Sequence, residues 1–353
     1  VCYRKGGESL SVTDANVVLG RVLPEYFPKI FGESEDQPLD ADAARRVFDE
    51  ETVRINEALE RIHAETTESE FVPLTTEEVA LGYLRVANEA MCRPIREITE
   101  SKGFDTASHV LAAFGGAGPQ HACAIARSLG IRTVFVHRFC GILSAYGMGM
   151  ADVVAEAQRP FAATLGEDRA GEDVAAAVAE LEARVVAQLD EQGFTLEPSE
   201  GAPTITTETL LNLRYEGTDT AIMTPEPDDG DFAAAFGARF RREYGFELEG
   251  RDLVVDDVRV RGVGKSELLR RVRVDGSSDG EEEDALPPPD AVSDVYFEGG
   301  WRATPVFLID RLRAGDVVEG PAVIMNGTAT CVVEPGCVAE LTAYGDLKID
   351  VDV

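Results

Sequence analysis

After an opening loop over residues 1–10, Thr13-Asp14-Ala15-Asn16 runs into the apolar Val17-Val18-Leu19. This predicts a short helix capped by Thr13 or Asp14, whose oxygens can accept from the orphan N–H groups of the first turn. Pro24, Pro28, Gly32 and Pro38 then break the pattern into an irregular surface excursion. From residue 40 to about 64, Ala44, Val47, Phe48, Val53, Ile55 and Leu59 recur at mixed three and four spacing, the stripe of an amphipathic helix. A loop over 65–75 leads to a second long helix, expected from Glu77 to Lys102. Thr75 or Thr76 marks its start, with Glu77 and Glu78 at its positive end, and Gly103 stops it. Pro94 should kink it by removing one backbone hydrogen bond.

Residues 110–129, VLAAFGGAGPQHACAIARSL, change the texture. A short apolar run ends in a glycine-rich loop, Gly115, Gly116, Ala117, Gly118 and Pro119, and a small-residue helix follows directly. The apolar strand Thr133-Val134-Phe135-Val136 comes next, followed by His137-Arg138-Phe139-Cys140-Gly141. Strand, loop, helix, strand is a βαβ unit, and such a unit puts ligands at the carboxyl ends of its strands. Glycines there let a ligand approach the backbone and allow positive φ. Exposed N–H groups at the helix start favour an anionic or polar ligand. The same glycines could equally serve a tight turn with no ligand.

Beyond this unit, residues from Gly141 through Gly149 read as a small-residue helix, the short run Ala151-Asp152-Val153-Val154 follows it, and an alanine-rich amphipathic helix spans 169–192. Around residue 200 alternation takes over. Strands are expected at 211–215, 221–223 and 253–262, with one helix at 232–244 between them. Residues 275–290, DGSSDGEEEDALPPPD, have too little apolar content to pack and read as an acidic, proline-rich loop. Short strands at 296–297, 306–309, 321–325, 331–333 and 339–342 follow, a spacing that suggests a small β domain.

Composition narrows the partners. The 353 residues include 65 acidic and 33 basic ones, for a net charge of −32. Such a field repels nucleic acid and anionic lipid, and no run approaches the roughly 20 apolar residues of a spanning helix. Only five of the basic residues are lysine. Acidity with scarce lysine suits either a surface adapted to high salt or a GC-rich genome. Six cysteines, Cys2, Cys92, Cys123, Cys140, Cys331 and Cys337, show no CxxC spacing, so no metal site is expected, and they read as reduced core residues of a cytoplasmic protein. The first residue is Val1 with no leader pattern behind it, which reads as a piece of something longer.

Several of these segments together carry a family likeness: VCYRKGG (1–7), VTDANVVLGR (12–21), RVANEAMCRPIR (85–96), HVLAAFGGAGPQHACAIARSLGI (109–131), GILSAYGMGMADVV (141–154), LRYEGTDTAIM (213–223), YFEGGW (296–301) and VEPGC (333–337). With them the chain resembles the carboxyl half of the A-type module of the hydantoinase and ATP-dependent 5-oxoprolinase family, on the side of the long 5-oxoprolinases. The resemblance implies an α/β fold, the second lobe of an actin, Hsp70 and sugar-kinase type ATPase, followed by a β-rich carboxyl-terminal domain. On that reading residues 1–165 are a partial ATPase-like lobe with a helical excursion at 24–105. Residues 166–200 are a connecting helix, and 201–353 are the β-rich region.

The resemblance further implies ATP and Mg2+ as cofactors, with Gly115, Gly116, Ala117, Gly118 and Pro119 against the adenosine. The reaction it implies opens the lactam of 5-oxoproline to glutamate with ATP hydrolysis, a step of glutathione and γ-glutamyl metabolism. It also implies a B-type module or subunit as partner and an oligomeric enzyme. No DxGGT-like phosphate loop is present here, so catalytic residues are expected upstream and the stretch alone should be inactive. Asp14 and Asn16 either cap their helix or reach the phosphates or metal. Asn88 and Glu89 line a site or belong to a solvated helix face, and His121 is a site residue or a core one. Two other functions stay open: the A subunit of a hydantoinase or acetone-carboxylase-like enzyme, and a non-catalytic assembly module for a B-type subunit.

Overall fold

A computed structural model of the chain describes residues 1–66, 70–166, 169–196, 204–248, 250–265, 273–274 and 286–353. Its elements run α1 (Val12–Val18), α2 (Ala41–Thr66), α3 (Thr76–Ile98), β1 (Val110–Ala113), α4 (Gly118–Leu129), β2 (Thr133–Val136), α5 (Leu143–Met150), β3 (Val153–Leu165) and α6 (Ala170–Asp190). They continue with β4 (Thr204–Tyr215), β5 (Ile222–Pro225), α7 (Phe232–Tyr244), β6 (Leu253–Lys265), β7 (Ala291–Phe297) and β8 (Gly300–Leu308). The last are β9 (Val317–Glu319), β10 (Ala322–Asn326), β11 (Ala329–Val333), β12 (Val338–Leu341) and β13 (Leu347–Asp350).

Two compact units emerge, Val1–Tyr146 with Arg271–Val353, and Gly147–Arg270. In the first, β1 and β2 pair in parallel across α4, the βαβ unit expected. This sheet then grows from the far end of the chain, in the order β1-β2-β13-β12-β9. A second sheet, β11-β10-β8-β7, contains one more parallel pair, β10 with β8. The core of this unit gathers Ala122, Ile125 and Ala126 of α4, Val134 and Val136 of β2, Ile324, Cys331 and Val333 of the second sheet, and Leu347 and Ile349 of β13. α4 is amphipathic and lies against β11. A separate cluster is formed by α1, α2 and α3 through Leu19, Phe48 and Leu84.

The second unit is an antiparallel sheet, β3-β6-β4-β5. Leu181, Val185 and Leu189 of α6 and Phe236 and Phe240 of α7 pack with Leu211, Leu213, Val255 and Val258 of its strands.

The carboxyl-terminal part is rich in strands, as its texture suggests, but they are shared out. β4, β5 and β6 belong to the second unit and β7 to β13 to the first, so the divisions expected at residues 165 and 200 both fall within the second unit. Three strands went unread. β3 begins where only a short apolar run was noted, and β9 and β13 are three and four residues long. The acidic loop expected at 275–290 lies outside the described residues as far as 285. The first helix is capped by Ser11, not by Thr13 or Asp14: Ser11 Oγ accepts from Asp14 N–H while the Asp14 carboxylate accepts from Ser11 N–H at 2.8 Å. This reciprocal capping box makes Asp14 the third residue of the helix. α3 runs through Pro94 and ends at Ile98, short of Lys102, with a 3₁₀ turn before Gly103 at φ +81°. All six cysteines are buried and free.

Candidate functional site

The loop between β1 and α4 is held by its own chain before any ligand is considered. Gly115 takes φ +83°, a left-handed conformation that favours glycine, and its N–H donates to Cys140 O at 2.8 Å. That bond joins the loops after β1 and β2 at the carboxyl edge of the parallel pair. The turn between β10 and β11 closes over both. Asn326 Oδ1 accepts from Thr328 N–H and Oγ1–H, both at 3.0 Å, and Asn326 Nδ2 donates to Arg138 O at 2.9 Å. A Cβ on Gly116 would stand 3.0 Å from Thr328 O, and one on Gly141 would collide with Thr328. Both glycines therefore serve the close approach of Thr328. Gly118 is different, since the nearest atom to a Cβ there is Ala113 C at 4.0 Å.

Donor accounting defines what the loop can hold. Gly115 N–H is spent on Cys140, Pro119 has none, and Gln120 N–H closes onto Ala117 O at 3.0 Å. No side chain caps α4. The amides of Gly116, Ala117 and Gly118 are the loop's remaining donors, a small set for a polyphosphate and enough for the polar edge of a neutral group. The loop borders a cleft of about 230 Å³ walled by Tyr3, Tyr26, Phe27 and Pro28, with Thr13, Gln120 and Thr330 supplying polar atoms. Aromatic walls with a few polar groups suit a planar heterocycle.

Among the residues beneath the loop lies a buried polar chain. Asn16 Nδ2 donates to Gln120 Oε1 at 3.0 Å and faces His121 Nε2 at 3.5 Å, while His121 Nδ1 donates to Asn88 Oδ1 at 2.8 Å. Burial, reinforced by the charge of Arg21, holds the His121 imidazole down to about 4, so it is neutral at pH 7. Asn16 Oδ1 is buried with no partner among the described residues. The structure thus brings Asn16, Asn88 and His121 together. It does not bring Asp14 or Glu89 to them. Asp14 accepts from the backbone N–H of Cys2 at 2.7 Å. Burial works against its charge, but the hydrogen bonds from Ser11 and Cys2 outweigh it and keep the carboxyl below its ordinary value. Glu89 is exposed and pairs with Arg96 at 2.5 Å.

Three further residues support the site without having been singled out. Glu334, in the VEPGC segment, accepts from Arg21 at 3.2 Å and from Arg127 at 2.7 Å, tying the end of α1 and the face of α4 to the end of β11. Arg21 is nearly fully buried and also lies over the Phe297 ring at 5.1 Å. Only the motif VEPGC signalled Glu334, since its partners lie 207 and 313 residues away.

Two family models match the chain: the hydantoinase/oxoprolinase model over residues 1–157 and the hydantoinase/oxoprolinase C-terminal domain over residues 268–347. The chain belongs to the hydantoinase/oxoprolinase family. It is 50% identical to 5-oxoprolinase 1 of Arabidopsis thaliana, over 100% of this chain and 27% of that protein. Identity to the 5-oxoprolinase of Dictyostelium discoideum is 45%, over 99% of this chain and 26% of that protein. The chain thus spans about a quarter of the length of these curated relatives. Its fold is shared with acetone carboxylase in a nucleotide-free structure, at a TM-score of 0.79 and 21% identity, covering 99% of this chain and 48% of that one. For a hydantoinase/oxoprolinase chain, the loop of Gly115, Gly116, Ala117, Gly118 and Pro119 is the place where the βαβ unit, an aromatic cleft and a buried polar support converge. No helix among the described residues is long and apolar enough to cross a membrane.

Proposed function

We propose that this chain is part of an ATP-dependent 5-oxoprolinase and that its loop at residues 115–119 holds the adenosine end of ATP. The observation that carries the reading is 50% identity to a 5-oxoprolinase from end to end of the chain. The site chemistry agrees with the nucleoside rather than the phosphates. Tyr26 and Phe27 offer an apolar face, and the amides of Gly116, Ala117 and Gly118 with Gln120 offer polar edges. When bound, ATP would supply the phosphoryl group that, placed on the lactam oxygen of 5-oxoproline, makes the carbonyl carbon open to water; the C–N bond would then break with the nitrogen taking a proton, and glutamate, ADP and phosphate would result. This chain's share is to bind and orient. Phosphate and metal binding belong to the rest of the long protein, and with them a B-type module, an oligomeric assembly and a place in cytoplasmic γ-glutamyl metabolism.

Gly118→Leu in the full-length protein tests the loop, because a Cβ at 118 meets only Ala113 C, at 4.0 Å, whereas one at 116 would stand 3.0 Å from Thr328 O whatever the ligand. Calorimetry should show ATP binding at least about tenfold weaker. Unchanged ATP affinity would remove the loop from the nucleotide site, and a wild-type protein that hydrolyses no ATP in the presence of 5-oxoproline would end the enzyme reading.

A further inference from the structure

Across the Asn326–Thr328 turn from the aromatic cleft lies a second one, of about 400 Å³, and its chemistry is different. Its walls are Phe139, Ile142, Leu312 and Leu341, and it carries one cation, Arg138, with Asp310 exposed on its rim. Thirteen arginines are ion-paired with a carboxylate among the described residues. The Arg138 guanidinium makes no such pair among the described residues. Its guanidinium lies over the Phe139 ring at 4.9 Å, and among the described residues its one side-chain hydrogen bond is a long one, 3.5 Å, to Tyr344 O. The backbone fixes the residue independently: Arg138 N–H donates to Asp346 Oδ1 at 2.9 Å, and Arg138 O accepts from Asn326. A half-buried, stacked guanidinium with unused donors in an apolar-walled cleft is built to take a carboxylate through paired hydrogen bonds.

We propose that this cleft is the subsite for the carboxylate of a small amino-acid-like ligand, with Arg138 as its anchor and Asp310 meeting an N–H group on the same molecule. With the 5-oxoprolinase reading, on which the choice of ligand rests, the occupants are 5-oxoproline, whose lactam N–H faces Asp310, and the product glutamate, whose ammonium does. The apolar walls cover the short carbon skeleton between the two ends. An overall acidic protein repels such anions at long range, so a local cation is what discriminates 5-oxoproline from the uncharged lactam 2-pyrrolidinone.

Equilibrium dialysis of radiolabelled 5-oxoproline and glutamate against the full-length protein, with and without a non-hydrolysable ATP analogue, tests this. The Arg138→Ala variant keeps both backbone bonds. It should bind 5-oxoproline about 10- to 100-fold more weakly, lose its preference over 2-pyrrolidinone, and keep its affinity for the ATP analogue. Arg138→Lys should fall between. Equal binding of 5-oxoproline by wild type and Arg138→Ala, in a protein that turns it over, overturns the subsite and leaves the 5-oxoprolinase reading standing. Glutamate binding that depends on Arg138, in a protein that neither binds nor turns over 5-oxoproline, keeps the subsite and overturns that reading. A wild-type protein that binds neither ligand overturns both.

Discussion

Residues 147–270 and the remainder of the described chain bury different things. The interior of the first is made of Leu211, Leu213, Phe236, Phe240, Val255 and Val258, and Thr224 is the one polar residue below a tenth exposed among its described positions. The other unit buries Asp14, Asn16, Arg21, Asn88, Gln120, His121, Glu334 and Asp346 to the same degree. Buried polar groups cost free energy unless paired, and a buried charge costs more. In the second unit the two orphaned atoms, on Asp257 and Arg259, belong to half-buried residues. A chain that confines its buried charged, amide and imidazole side chains to one unit keeps that cost where the glycine loop and the aromatic cleft converge. Sheet packing alone supplies the other unit.

The comparison predicts that the two units fail differently. Phe236 is fully buried and meets Tyr215 edge-on at 5.1 Å between centroids. Phe236→Ala should cost about 3–5 kcal/mol through lost burial and a cavity, read as lost hydrogen-exchange protection in β4 and β6, with ATP affinity of the full-length protein unchanged. A parallel fall in ATP affinity would break the distinction between the units. Glu334→Ala should cost about 3 kcal/mol, because it leaves Arg21 buried without its partner. There the loss of protection should fall in α1 and α4 and be accompanied by weaker ATP binding, since α4 carries the loop. Glu334→Gln, which keeps an acceptor for Arg21, should lie between this variant and the wild type.

How much of this was legible in the chain depends on the range of the contacts. The strand, glycine loop, helix and strand at residues 110–136 and the helix at 232–244 follow from local periodicity, and the structure shows both at those positions. The pairing of β13 onto β2 is not local: Leu347 lies opposite Val136, and a four-residue strand has no periodicity to announce it. Asn88 and Glu89 share one expectation from the sequence, a site lining or a solvated helix face. Adjacent helical residues point about 100° apart, so one reaches His121 and the other faces solvent. Gln120, next to the loop, gave no sign that Asn16 would find it from 104 residues away. The role of Asp14 was within reach, because Ser11-x-x-Asp14 is a capping-box pattern.

The finest discrimination between the units is a pH effect on histidine. All four histidines, His63, His109, His121 and His137, lie outside residues 147–270. His121, ordinarily near 6.5, is held down to about 4 in the folded chain, by burial first and by Arg21 second. Below pH 6.5 the unfolded chain therefore takes up a proton that the folded one refuses. The stability this contributes is complete above about pH 6.5 and is lost as the pH falls toward 4. Between pH 7 and pH 5 the loss is about 2 kcal/mol. Hydrogen exchange in α4, corrected for intrinsic rates, should show that loss of protection, while α6 should show none from histidine. His121→Gln removes the titrating group and keeps an amide that can donate to Asn88, so the slope in α4 should disappear in that variant. An unchanged slope would assign the pH response to a group other than His121, and the neutral imidazole would then be packing beneath the glycine loop without governing it.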